Sequence, residues 1–195
     1  MINLMKYLSK WKIERQDKFS FSLCKTDNIE EDTFLHTLYN PVENMAKYFS
    51  QKNWVLPQDL KEFYKTYNGV RLFFSSFNIF GCQSNVGNTD IVPYDIFIEN
   101  YNHSNNLNYI VFGCILSCYN FAFKNDINDK KYYKLDARDY SVIKTYDSLE
   151  QLFENELPVF VDEYNIDGTR KHPNINETTK LIPLFAHIFS GDINW

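Results

Sequence analysis

Trp54-Val55-Leu56-Pro57-Gln58-Asp59-Leu60-Lys61-Glu62-Phe63-Tyr64-Lys65-Thr66-Tyr67-Asn68-Gly69 reads as a capped amphipathic helix that delivers the chain into a buried strand. Pro57 suits the first turn of a helix, where its missing N–H would have no intrahelical partner, and Asp59 and Glu62 put negative charge near the positive end of the helix dipole. Leu60, Phe63, Tyr64 and Tyr67 fall at i, i+3, i+4 and i+7, a single apolar stripe. Asn68-Gly69 is read as the stop, since glycine enters the left-handed conformation at C′ without a Cβ penalty. The following Val70-Arg71-Leu72-Phe73-Phe74 is β-branched and aromatic, so the run from Val70 to Gly81 is expected to be one long strand or a hairpin bent near Ser75-Ser76.

Upstream, Asn40-Pro41 with Glu43 signals another helix start, and Val42, Met45, Ala46 and Phe49 repeat at helical spacing. Only Lys52 to Leu56 separates it from the central helix, so the two are expected to pack as neighbours with Trp54 at their junction. Trp54 is also a candidate aromatic anchor for a partner. Residues 1–40 are the hardest to read. Lys6, Lys10, Lys12, Arg15 and Lys18 make them basic at first, and Phe19-Ser20-Phe21-Ser22-Leu23 alternates like a short strand at a sheet edge.

Downstream, residues 83–90 and 100–108 have loop composition, and 91–101 fit a short helix or a strand equally well. Tyr109-Ile110-Val111-Phe112-Gly113 reads as a buried strand. A three-stranded meander should follow, over Tyr119 to Phe123, Lys131 to Leu135 and Val142 to Tyr146. Asp147 or Ser148 then caps a helix that buries Leu149, Leu152, Phe153 and Leu157, with Pro158 ending or kinking it. Beyond a polar linker, Leu181, Leu184, Phe185 and Ile188 suggest one more short helix.

The expected fold is therefore α+β: a mostly antiparallel sheet of about five or six strands with helices packed on one side, plus an extra C-terminal helix. The order Leu-Pro-x-acidic, amphipathic helix, Asn-Gly, then Ile110 to Gly113, Phe121-Ala122-Phe123, Tyr133-Lys134-Leu135-Asp136, Val142 and the closing Asp147-Ser148-Leu149-Glu150-Gln151-Leu152-Phe153 resembles a SUKH-superfamily domain. The likeness spans about residues 41–157, leaving 1–40 as an N-terminal extension packed on the domain and 158–195 as a C-terminal extension. The resemblance implies a non-enzymatic binding module with no cofactor. It points to an immunity protein of a toxin–antitoxin or polymorphic toxin system, which neutralises a cognate toxin by direct contact. A SUKH-fold scaffold or regulatory module without a toxin is the alternative.

Composition agrees with a folded binding protein. The chain has 195 residues, 44% hydrophobic and 23% charged, with 17 Phe and 14 Tyr that suit an aromatic core. A formal net charge of -5 argues against general affinity for nucleic acid, which requires clustered cations to displace phosphate counterions, and is compatible with a basic protein partner. No signal peptide is read at the start, and no uncharged run approaches the roughly 20 residues that span a bilayer, so a cytoplasmic location is expected. Cys24, Cys82, Cys114 and Cys118 form no metal-type pair, and no metal is expected. No nucleophile elbow, P-loop or dinucleotide turn occurs.

One charge asymmetry stands out. Asp147, Glu150, Glu154, Glu156, Asp162 and Glu163 lie in a stretch without Lys or Arg. That stretch reads either as a solvated helix face or as a docking surface for a basic partner. The candidate contact residues are Asp147, Glu150, Glu154 and Glu156, with Trp54 and Tyr119 as aromatic anchors. The expected oligomeric state is monomer or weak dimer.

Overall fold

A computed structural model of the chain describes residues 4–9, 13–16, 20–23, 36–41, 49–50, 52–73, 76–81, 98–99, 109–116, 118–165 and 171. Among these are ten strands and three helices: α1 (Met5–Leu8), β1 (Ile13–Gln16), β2 (Ser20–Leu23), β3 (His36–Tyr39), α2 (Gln58–Thr66), β4 (Val70–Leu72), β5 (Phe77–Ile79), β6 (Ile98–Glu99), β7 (Tyr109–Ile115), β8 (Tyr119–Lys124), β9 (Tyr132–Asp136), β10 (Val142–Tyr146) and α3 (Leu149–Glu163). All pair antiparallel in a single sheet of order β1-β2-β3-β4-β5-β7-β8-β9-β10. β6 and β5 lie along the same side of β7: Ile98 and Glu99 face Val111 and Ile110, while Phe77 to Ile79 face Ile115 to Gly113. The α+β class and the antiparallel sheet are as the sequence predicts, with more strands than the expected five or six.

The additional strands come mainly from the N-terminal residues. β3 pairs with β4, and β2 is sandwiched between β1 and β3 instead of closing the edge, so the sheet runs straight across the boundary drawn at residue 40. Leu8 of α1 and Leu4 just before it are fully buried in the core. Residues 70–81 form the hairpin alternative, with Leu72 opposite Phe77. In 91–101 the described part is strand. The expected helix after Asn40-Pro41 falls mostly outside the described residues, of which Phe49 and Ser50 are helical. The linker after Asn165 and the helix expected near 181–188 also lie outside them.

The helices pack on one face of the sheet. Leu60, Phe63 and Tyr64 of α2 and Leu149, Leu152, Phe153, Leu157 and Phe160 of α3 meet Phe77, Ile110, Phe112, Phe121, Phe123, Tyr132 and Tyr146 in one aromatic-rich core. Phe153 lies 6.0 Å from Phe63 and 5.9 Å from Phe77, and Phe160 stacks on Phe73 at 5.5 Å. On the opposite face Phe80, Tyr109, Val111, Ala122, Tyr133 and Leu135 make a second buried cluster. The central strands are thus apolar on both sides, which is why Tyr109 to Ile115 reads as a continuous apolar run and not as an alternation.

Two local expectations are corrected. α2 ends at Thr66, and Tyr67 is already extended, so Gly69 is not a helix C′ residue. It has φ +93 because the backbones of Asn68-Gly69 and Ile79-Gly81 cross; a Cβ there would stand 2.7 Å from the Ile79 carbonyl oxygen. Of the two alternatives for Pro158, the ending of α3 is excluded: the helix continues to Glu163, and Phe160 and Tyr164 stack on Phe73 beyond the proline. Pro57 sits one position before α2, where its carbonyl accepts the first helical bond from Lys61 N–H at 3.0 Å.

The β9–β10 turn contains a compact ion pair. Asp136 accepts from Arg138 Nε at 2.9 Å, from Arg138 Nη2 at 2.7 Å and from the Arg138 backbone N–H at 2.8 Å. These bonds hold the Asp136 carboxyl down to about 2 from an ordinary 3.8. Because the folded value is the lower one, the pair's contribution is complete above 3.8 and is lost as pH falls towards about 2. Urea midpoints measured between those limits should fall less steeply in Asp136→Asn than in the wild type. The Arg138 guanidinium is largely in water, so the difference is expected to be small.

Candidate functional site

The six sequence-nominated residues separate into three environments. Trp54 is only 7% exposed, set 6.4 Å from Phe49, and the connector around it is pinned by Asn125, whose side chain accepts from Val55 N–H at 2.8 Å and donates to the Asn53 carbonyl at 3.3 Å. Its ring belongs to the core, which leaves no face for a partner. Tyr119 is half-buried at the start of β8, with Lys134 Nζ 4.6 Å above its ring. Glu156 is drawn under α3: it accepts the Tyr146 hydroxyl on one oxygen and Lys134 Nζ at 2.8 Å on the other, and its side chain is 11% exposed. Burial, and then this hydrogen bond, raise the Tyr146 phenol well above the ordinary range.

Asp147, Glu150 and Glu154 remain on the surface. Ser148, with extended backbone, caps α3 by accepting from Gln151 N–H at 3.1 Å, and the Gln151 side chain accepts from Asp147 N–H at 2.6 Å. This reciprocal cap fixes where the helix starts and hence which side chains face out. The outward flank is Glu150, Gln151, Glu154, Asn155, Pro158, Val159 and Asp162.

Tertiary structure supplies the cations that the local sequence lacks. Lys6 of α1 reaches Glu150 at 3.5 Å and Glu154 at 3.1 Å, while Lys144 of β10 donates to Asn155 at 2.8 Å. Three exposed carboxylates on this flank, those of Glu150, Glu154 and Asp162, with exposed Asp147 just before the helix, thus lie near two lysines. The surface stays acidic, though less so than the sequence of α3 alone indicates.

Asp59 is a second carboxylate with several partners, none of which follows from its helix-dipole position or its place in the Leu-Pro-x-acidic order. It accepts the Tyr132 hydroxyl and Leu60 N–H, at 3.0 Å, on Oδ1, and the Leu149 N–H of the first turn of α3 at 2.7 Å on Oδ2. One side chain therefore ties α2, β9 and α3 together. Burial, and then the Asp59 charge, push the Tyr132 phenol far up. All of its partners are internal, so its arrangement is architectural.

Among the described residues no three metal-capable side chains converge, and no helix is long and apolar enough to cross a membrane. Cys114 and Cys118 are half-buried, and Cys114 Sγ accepts from Asn78 Nδ2 at 3.6 Å. Fold and surface together define an α+β protein whose helix-covered antiparallel sheet presents one acidic helix flank. Comparisons with protein-family models, curated proteins and solved structures give no significant match to this chain.

Proposed function

We propose that the protein is a non-enzymatic binding protein, an immunity protein of the SUKH type that neutralises a basic toxin domain, such as a nuclease, by direct docking. The observation that carries the reading is the exposed carboxylate flank of α3, formed by Glu150, Glu154 and Asp162 with Asp147 just before the helix, on an element held by its cap and by the Asp59 tie. Catalytic clefts that hold nucleic acid are basic, so an acidic inhibitor gains long-range steering and rejects acidic partners.

The test starts from the gene immediately upstream: its encoded C-terminal domain is produced and titrated against the full chain. Combined reversal of Glu150, Glu154 and Asp162 to Lys is expected to slow association about tenfold or more at low salt and to flatten its salt dependence, with dissociation changing less. Glu156 is excluded from the set because its reversal would leave Lys134 and Tyr146 without their partner. Unchanged association kinetics would remove this flank from the mechanism. Absence of any complex, or a solitary gene, would leave the scaffold function as the better account.

A further inference from the structure

His36 is the one histidine among the described residues, and it is fully buried. On β3 it stands opposite Leu23 of β2 and Leu72 of β4, on the helix-covered side of the sheet. Its Nδ1 accepts the Phe73 N–H at 3.3 Å, and its ring meets the Phe73 ring edge-on at 4.6 Å. An imidazole nitrogen accepts only while it carries no proton, so this bond requires the neutral ring with its proton on Nε2.

Phe73 in turn anchors the far end of α3. It follows β4 with φ +53, a conformation that bulky side chains rarely adopt, so its backbone is held by its surroundings and not by its own preference. Phe160 and Tyr164 stack on its ring at 5.5 and 5.4 Å, and Phe160 also meets Phe77 at 6.3 Å. Both residues lie beyond Pro158, which has no N–H to give the Glu154 carbonyl, so the hydrogen-bond ladder of α3 is interrupted just before them. The last turn, from Val159 to Glu163, therefore leans on these ring contacts as well as on the helix behind it.

We infer that His36 is a pH-sensitive latch on the last turn of α3, which is docked while the imidazole is neutral and released when it takes a proton. Protonation puts a donor at Nδ1, facing the Phe73 N–H, and a cation in an apolar core. Both effects act on Phe73, and through its ring on Phe160 and Tyr164. Neither depends on what α3 binds.

β2 carries no charged residue, and Arg71 on β4 and Tyr39 on β3 alternate to the opposite side of the sheet. The end of α3 brings Asp162, which is exposed, with Glu163 and Tyr164. Of these side-chain types only histidine ordinarily changes charge between about pH 5 and 8. Once the turn is released, water reaches the imidazole, which takes a proton near about pH 6.5; the docked state resists it. Docking is therefore complete above that value, and the released fraction rises about tenfold per pH unit below it.

Amide exchange of the full chain is followed at about pH 7.5 and about pH 5.5, either side of the ordinary histidine transition, with rates corrected for their intrinsic pH dependence. Protection of Val159 to Tyr164 should fall about tenfold at the lower pH and stay below that of Leu152 to Leu157, which precede the proline. His36→Gln, which cannot titrate and keeps an acceptor for Phe73 N–H, should abolish the fall. Unchanged protection, an equal fall in His36→Gln, or both halves of α3 exchanging together at the lower pH would overturn the latch, the last outcome by making the opening global. Independently of any variant, nitrogen chemical shifts of the His36 ring in the wild type should show the Nε2–H form at the higher pH and a titration whose midpoint coincides with the loss of protection. The opposite tautomer, or a ring that titrates while the last turn stays protected, would equally overturn it.

Discussion

Gly81→Ala is expected to lower stability by about 4 kcal/mol or more, enough to remove most of the margin of a typical domain. An added Cβ at Gly81 would stand 2.0 Å from the Asn68 carbonyl oxygen and 2.8 Å from its carbon. These are backbone atoms and cannot rotate away. Asn68 is itself fixed, because it is fully buried and its N–H donates to the Tyr39 carbonyl at 2.8 Å. The clash can be relieved only by separating the segment after α2 from the end of the β4–β5 hairpin, which also strains the link to β3. The measurement is the urea midpoint, or soluble yield where the variant does not accumulate. Gly69→Ala should be severe for a related reason, combining φ +93 with a 2.7 Å approach to the Ile79 carbonyl oxygen. A native-like midpoint for Gly81→Ala would show that the crossing is looser than these distances require.

Asp59→Ala is expected to cost about 3 kcal/mol, the second largest effect, because three donors lose one acceptor at once. The Tyr132 hydroxyl is left in the core, and the first turn of α3 loses the carboxylate that receives Leu149 N–H. Tyr132→Phe removes only one of those bonds and should cost about 1 kcal/mol. Comparison of the two variants by equilibrium unfolding separates the junction from the single hydroxyl; equal losses would mean that Tyr132 alone accounts for the effect. A pH signature accompanies it. The Tyr132 phenol is raised in the folded protein above its ordinary 10, first by burial and then by Asp59, so the unfolded chain gives up its proton earlier as pH rises. The Tyr132 contribution is therefore complete below 10 and declines above it, and Tyr132→Phe should make that decline shallower.

Much of the architecture was readable from periodicity. The i, i+3, i+4, i+7 stripe of Leu60, Phe63, Tyr64 and Tyr67 locates α2, and the strand-like runs Tyr119 to Phe123, Lys131 to Leu135 and Val142 to Tyr146, separated by turn-type stretches, locate the β8–β10 meander, because each segment packs against its immediate neighbours. β3 was missed because His36-Thr37-Leu38-Tyr39 has no apolar pattern of its own. Its burial depends on β4 and on His36, whose Nδ1 accepts Phe73 N–H at 3.3 Å and whose ring meets Phe73 edge-on at 4.6 Å. The role of Asp59 was hidden for the same reason, since its acceptor function uses donors 73 and 90 residues away.

The sequence by itself determined which segments are helix and strand across the centre of the chain, the α+β antiparallel class, and the concentration of carboxylates between Asp147 and Glu163. Those are local properties, set by side-chain spacing and backbone preference over one or two turns. Only the tertiary structure decided which of the carboxylates face water. Glu156 is withdrawn because β9 and β10 bring Lys134 and the Tyr146 hydroxyl beneath α3, and Lys6 comes from the other end of the chain to meet Glu150 and Glu154. It also moved Trp54 into the core, because a side chain's exposure is fixed by what packs beside it, and those neighbours are distant in sequence.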